Sequence, residues 1–527
     1  MTASAMSDGK SYGLGANAPR GPVRFGRCRD FSSAERGRRS AICIPRLRGV
    51  VASRRDAPRR SVARLSCVLL AYLAYPTNAP AQTGAGTNAP LTVTLSGAVT
   101  MALTHYPQIR AALAQQAAAQ ASVGLARTAY LPRADVLWQT NRATANNVYG
   151  LLLPQAIIPS ISGPVLAPDN ARSAWASGGG ALLSWEPFDF GLRRAQVDVA
   201  RQGLAAAAVG VRVTRLDVAA AAASAFLDLA AGEELAAVAV ANVARLRVFA
   251  DAVHALVTNQ LRPGSDAAQA DATLAAARTQ LFRARATVEV RRVALANLLG
   301  TPTTAVEVDA SRLLGPPPVD TLPGTLVVAH PVAQQEAALV AQQQARVSAL
   351  DRSYVPRLST EAAVSGRGTG TALTGVFPGG TAGLGPTTFN WAAGIQVTFP
   401  VFDVFSLGAE RRVETATARA EQARYAQTLD DLSAQVLEAR AQLQGARLTA
   451  DNTPAELAAA RLAEGEVRAR FQAGLATVVD VSAAESALVQ AESDDAVARL
   501  DVWRALASLS TAQGDLTPFL GLFGTAP

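Results

Sequence analysis

Acid–base and nucleophilic catalysis at neutral pH draw on histidine, lysine, cysteine or paired carboxylates. This 527-residue chain is poor in the first three. Its only lysine is Lys10, so no phosphate-loop, Schiff-base or kinase lysine has a candidate beyond the extreme N-terminal segment. The three histidines, His105, His254 and His330, are scattered and form no ligand cluster. His105 and His330 stand just before Pro107 and Pro331, which predicts a surface or helix-start role. Gly366-x-Gly368-x-Gly370 reads as a loop feature, because it lacks the strand–turn–helix setting of a dinucleotide site. These residues point to no enzyme, no cofactor and no metal centre. The carboxylates are more informative because they recur. Asp266, Ala270, Asp271 and Leu274 fall on Asp480, Ala484, Glu485 and Leu488, all at one offset of 214.

That recurrence extends along the chain. Pro107, Tyr130, Pro132 and Arg133 match Pro331, Tyr354, Pro356 and Arg357 at an offset of 224, and Phe188-Asp189 matches Phe402-Asp403 at 214. A period above 200 residues is too long for a solenoid repeat and indicates one fold built from two halves. The predicted division is 1–81 as N-terminal extension and signal peptide, 82–300 as first repeat, 301–325 as linker with Pro316-Pro317-Pro318, 326–515 as second repeat and 516–527 as tail.

The formal net charge of +8 is unevenly placed. Residues 1–81 carry one Lys, 14 Arg and four acidic residues, leaving 34 basic and 37 acidic residues in the remainder. The folding part is mildly acidic, which excludes a nucleic-acid reading based on overall basicity. Arg54, Arg55, Arg59, Arg60 and Arg64 precede an apolar run from Cys67 to Tyr75, and Ala79-Pro80-Ala81 supplies small residues for cleavage before Gln82. That is the pattern of a secretory signal, with an apolar run too short to stay as a membrane span. Residues 1–50 are unlike a signal, so translation is expected to start near Val50 or Val51. Cys28, Cys43 and Cys67 all lie in the segment predicted to be removed, which leaves no disulfide and no thiolate site; Cys67 precedes the apolar core and is a poor match to a lipid-attachment site.

The elements follow from periodicity. Residues 82–95 read as a polar lead-in and 96–129 as a helix capped by Ser96. Ala134, Val136, Trp138 and Thr140 alternate with polar residues, Leu137 excepted, and predict a strand over 133–149. A loop over 150–173 and a second alternating run with Trp175, Ala181, Leu183 and Trp185 follow. A proline-free stretch over about 192–261 predicts a helix of about 100 Å, a length suited to a tube or coiled coil rather than a globular core. A return helix runs from Asp266 to near Gly300. The second half repeats the plan: helix 331–353, strand Leu358 to Val364, loop 366–387, and a strand with Phe389, Trp391, Ala393, Ile395, Val397 and Phe399 on one face. A helix of about 407–472 with a kink at Pro454, and a return helix over 477–513, complete it.

Four strands with apolar outward faces, in a secreted chain, fit a membrane only if the sheet closes. Four strands cannot close a transmembrane barrel, so sister copies must share one. Three copies give 12 strands and are expected; two would give eight. A soluble sheet on a periplasmic coiled-coil scaffold or adaptor without a pore is the alternative.

Over about residues 91–515 the chain resembles the TolC family of outer-membrane efflux channels. The resemblance is carried by the duplicated helix–Tyr-x-Pro–strand segment, the Pro-Phe-Asp turns at 187–189 and 400–403 (the latter with inserted Val401), and Phe-Gln-Ala-Gly-Leu-Ala-Thr-Val-Val-Asp-Val at 471–481. It implies a mainly α-helical fold with a transmembrane β-barrel, a homotrimer whose 12-stranded barrel sits in outer-membrane lipid, and a helical tunnel in the periplasm. It also implies a passive conduit of a tripartite efflux or type I secretion system, working with a periplasmic adaptor (membrane fusion) protein and an inner-membrane pump. Acidic residues at the start of the return helices ring the closed mouth in that family, and the matching positions are Asp480 and, through the repeat, Asp266. The family's second acidic position is Ala483 here. The first-half turn, Arg262-Pro263-Gly264-Ser265, reads as four residues shorter than its partner.

Overall fold

The structure, a computed structural model, describes residues 91–144, 172–302, 305–313, 315, 324, 326–372, 374, 376 and 379–523. The expected signal segment, the loop over 150–171 and the linker's triple proline lie outside these residues. All described residues belong to one compact unit, Gly84–Pro527.

Alanine-rich, proline-poor composition favours helix, and the longest such stretch forms one. Helix α3, Leu192–Thr258, has 67 residues, and α6, Val404–Gln472, has 69. At 1.5 Å per residue each is about 100 Å long. Pro454 removes one hydrogen bond from α6, yet the helix runs unbroken to Gln472. The shorter helices are α1 (Leu95–His105), α2 (Pro107–Thr128), α4 (Gly264–Leu298), α5 (Pro331–Asp351), α7 (Val478–Ala512) and α8 (Thr517–Gly521). α1 and α2, expected as one helix, break at Tyr106. The residue before a proline avoids the helical region, and Tyr106 sits at φ −66°, ψ 127°. Thr94, not Ser96, caps α1, its hydroxyl accepting from Gly97 N at 3.2 Å.

His330 has the expected helix-start role. Its Nδ1 accepts from Val332 N at 3.1 Å and caps α5, while Nε2 faces the Thr511 carbonyl at 3.3 Å. Burial holds this imidazole below its usual pKa, so its neutral form supports the fold, and that support is lost as pH falls through the lowered value. Gly514, at φ +83°, lets the chain pass here, because a Cβ would lie 2.6 Å from the His330 ring.

Four strands, β2 (Arg133–Thr144), β3 (Ser173–Phe188), β5 (Arg357–Thr369) and β6 (Thr388–Thr398), form one antiparallel sheet in the order β2-β3-β5-β6. The two hairpins join through β3 and β5, and β2 and β6 are left as edges. Alternation sets the faces. Val136, Trp138, Val364, Phe389, Trp391 and Ile395 stand exposed on one side of the sheet. The other side is polar except for a small cluster, Leu137, Leu182, Ala363 and Ala392, which accounts for Leu137 breaking the pattern in β2.

A second sheet was not legible in the sequence. β1 (Leu91–Val93) pairs parallel with β4 (Val306–Val308), bringing the lead-in beside the linker. Around it lies the main core, which takes the middle of α3, the ends of α4 and α7, and α8, whose Phe519 is fully buried against Trp503.

Side by side, the helices run α2 and α4, then α3, then α5 and α7, then α6. α3 is packed on both flanks and buries 22 residues, whereas α6 buries eight. The two outer flanks carry exposed apolar residues: Leu125, Phe282, Val290 and Val293 on one, Val413, Leu437, Leu448 and Leu462 on the other.

Candidate functional site at the helical tip

The end of the bundle away from the sheet is made by two helix hairpins, α3–α4 and α6–α7. Both turns have five residues, 259–263 and 473–477, which corrects the expected shortening of the first. The bonding is also shared. Leu261 N donates to Leu256 O at 2.9 Å and Gln260 N to Val257 O; Leu475 N donates to Arg470 O at 2.8 Å and Gly474 N to Phe471 O. Both turns need a left-handed residue, and Gly474 (φ +77°) supplies it in one while Gln260 (φ +58°) supplies it in the other. A non-glycine residue there costs about 1 kcal/mol, so Gln260→Gly is expected to stabilise the first hairpin by about that much. Slower amide exchange over 256–261 would be its sign; unchanged or faster exchange would contradict it.

Asp266 and Asp480 take the same position, third in each return helix, at this tip. Their surroundings differ. Asp480 closes a capping box: Thr477 Oγ1 accepts from Asp480 N at 3.2 Å, and the carboxylate accepts from Thr477 N at 2.8 Å. Hydrogen bonds from the Thr477 backbone, then its hydroxyl, hold this exposed carboxyl below its ordinary pKa. The cap is complete above the ordinary carboxylate value and is lost as pH falls through the lowered one. Asp266 has no such box and lies 3.5 Å from Arg262. The next turns of the two return helices meet where Thr273 Oγ1 and Ser482 Oγ are 3.4 Å apart.

Arg262 also ties the hairpins together. Its Nη2 donates to the Ala476 carbonyl at 3.1 Å, and its guanidinium lies 4.6 Å from the Phe471 ring centre. Phe471 meets Phe249 edge to face at 5.2 Å, within an apolar core formed by both hairpins.

Behind this core lies a charge network that sequence reasoning missed. Arg245 on α3 pairs with Glu485 at 3.1 Å and Glu492 at 2.8 Å, both on α7. Arg468 on α6 pairs with Glu485 and, at 2.7 Å, with Glu464. The Glu485 side chain is 1% exposed. Burial pushes the Glu464 carboxyl above its usual range, against the pull of Arg468. A signal was present in the repeat. His254 and Arg468 share the 214 offset, as do Asp271 and Glu485, and His254 lies 2.9 Å from Asp271. Arg245 has no repeat counterpart, because Ala459 holds that position. Among the described residues no group of His, Cys, Asp or Glu could hold a metal ion.

The chain is thus a hairpin-tipped bundle of paired long helices carrying a four-stranded sheet with one apolar face. The family model described as outer membrane efflux protein matches residues 98–301 and 323–515. The chain belongs to the outer membrane efflux protein family. Comparison with curated proteins gave no match. Solved structures share the fold. The Campylobacter jejuni CmeC outer membrane channel aligns with a TM-score of 0.65 and 17% identity, over 82% of this chain and 90% of that one. The open state of the Neisseria gonorrhoeae MtrE outer membrane channel gives 0.62 and 21%, over 80% and 89%. The outer-membrane channel OprN gives 0.62 and 18%, over 80% and 89%. This efflux protein is thus an outer-membrane transport protein. Among its described residues no helix is long and apolar enough to cross a membrane.

Proposed function

We propose that three copies of this chain form the outer-membrane conduit of a tripartite efflux or secretion assembly. The observation that carries this is the sheet itself. It has two open edges, β2 and β6, and an exposed apolar face. Open edges leave backbone groups unpaired in lipid, so β6 of one copy must pair with β2 of the next. Three copies give 12 strands, a barrel wide enough for an aqueous lumen. The unpartnered apolar flanks on α6 and on α2 with α4 meet in the same arrangement and continue the wall as a periplasmic tunnel. The repeats at 82–300 and 326–515 serve as matching halves of each copy's wall. A periplasmic adaptor and an inner-membrane pump supply substrate and energy at the tip, and the chain works as a passive path without catalysis.

Asp480 and Asp266 are the proposed mouth. Threefold repetition sets up to six carboxylates around one constriction, which favours cations. Arg262 already offsets Asp266, so Asp480 carries most of the effect. In planar bilayers, wild-type channels are expected to prefer cations, Asp480→Ala to lose most of that preference, and Asp266→Ala to lose less. Unchanged selectivity in Asp480→Ala would remove the mouth role. Absence of any conductance from purified wild type would remove the conduit.

A further inference from the structure

The apolar face of the sheet is not smooth. Two neighbouring rows cross it: Trp138, Gly179, Gly366 and Phe389 in one, Val136, Ala181, Val364 and Trp391 in the other. Trp138, Phe389 and Trp391 stand on the outer strands, while the inner strands carry Gly179, Ala181 and Gly366, with Val364 the one larger inner side chain. The result is a groove of about 470 Å³ floored by Gly179, Ala181 and Gly366 and walled by Phe389 and Trp391. The glycines are needed for this shape. A Cβ on Gly179 would lie 2.5 Å from Cε3 of the Trp138 indole, and one on Gly366 would lie 3.0 Å from Cε1 of the Phe389 ring. The aromatic walls remain open, Phe389 at 79% and Trp391 at 81% exposure.

The groove has a polar upper end. Four residues beyond Trp138 on the same face of β2, about 13 Å along the strand, stands exposed Arg142. Its Nε donates to Ser173 Oγ at 3.1 Å, and its guanidinium lies 5.2 Å from the centre of the Trp175 ring. Between groove and guanidinium the chain at Gly383–Pro386 lies over the sheet, its Gly385 carbonyl above Gly368, so that Ser177 is buried there and a lipid reaching Arg142 must pass beside this segment. Arg142 and Trp175 lie where β2 and β3 run toward their connection, at the end of the sheet opposite the helices. With the helices in the periplasm, that end faces the outer leaflet.

We propose that this groove binds a phosphorylated outer-leaflet lipid of the lipid A class, one acyl chain lying between the aromatic walls and a phosphate at Arg142. The inference rests on the membrane reading above and adds a specific lipid site to it. A planar guanidinium held by a hydroxyl and an indole is pre-oriented for phosphate. An acyl chain removes the exposed Phe389 and Trp391 rings from contact with disordered lipid and fills the depression.

Native mass spectrometry of the full chain, purified in mild detergent and titrated with bisphosphorylated lipid A or with the same lipid after dephosphorylation, tests this. Wild type is expected to retain the phosphorylated form. Arg142→Gln, a surface change that leaves the fold intact, should weaken that binding by about tenfold and leave the dephosphorylated form unaffected. Ala181→Phe fills the groove and should weaken both. Equal retention by wild type and both variants would overturn the site and leave the membrane reading standing. A wild type that stays in water without detergent would overturn both.

Discussion

Arg245→Ala is expected to loosen the tip. Arg245 joins the first hairpin to the second, and its loss leaves Glu492 without that partner and buried Glu485 with Arg468 alone. Removing one member of a buried ion network costs about 3 kcal/mol, because a carboxylate stays in a low-dielectric site with less to offset it. The effect is local. The long packed middle of α3 and the sheet do not depend on Arg245, so amide exchange should accelerate by about a hundredfold over 240–250 and 482–495 while the central core near Phe226 keeps its protection. If opening of the mouth separates the hairpins, the same variant also conducts more. Unchanged exchange at the tip would show that the apolar core around Phe249 and Phe471 suffices without the network.

Ala393→Arg is expected to cost about 2–4 kcal/mol in the assembled membrane protein. Ala393 lies mid-strand in β6, on the face that carries Trp391 and Ile395. A guanidinium there faces hydrocarbon. Gln396→Arg, on the opposite face of the same strand, should cost less than about 1 kcal/mol, since a lumen-facing cation stays in water. Denaturant titrations of protein folded into lipid vesicles read both. Equal tolerance of the two variants, or a reversed order, would mean that the apolar face is not the lipid face.

The features legible in the sequence were those with long or repeated signals. Absence of proline over 192–261 predicted α3 closely, and the alternation from Phe389 to Phe399 predicted both β6 and its faces. The duplication located both hairpins. Short or non-local features were hidden. The three-residue strands Leu91–Val93 and Val306–Val308 pair across more than 200 residues, and neither is long enough to alternate. α8 is one turn of helix fixed by Phe519 in the core, which its own sequence cannot reveal. Gln260 disguised a turn equivalent to the one at Gly474, because the expected signal is glycine. Asp480 was found through the family resemblance and Asp266 through the repeat, and the box of Asp480 with Thr477 follows the Thr-x-x-acid spacing. Arg245 was missed because pairing with Glu485 depends on which helix faces which, and the repeat holds no second copy of it.

The shared barrel is tested most directly by pairing its free edges. Residues 68–527 contain no cysteine, so a pair can be introduced cleanly. With Asn390→Cys fixed on β6, single cysteines are placed in turn from Asp135 to Asn141 on β2, and the full chain is oxidised in outer membranes. Within one chain β2 and β6 are separated by β3 and β5, so only a neighbouring copy can bring them together. The expected result is covalent species ending at three chains, formed at lumen-facing positions such as Leu137 and Gln139 and not at Val136 or Trp138. Monomers alone at every position, or species ending at two chains, would contradict it.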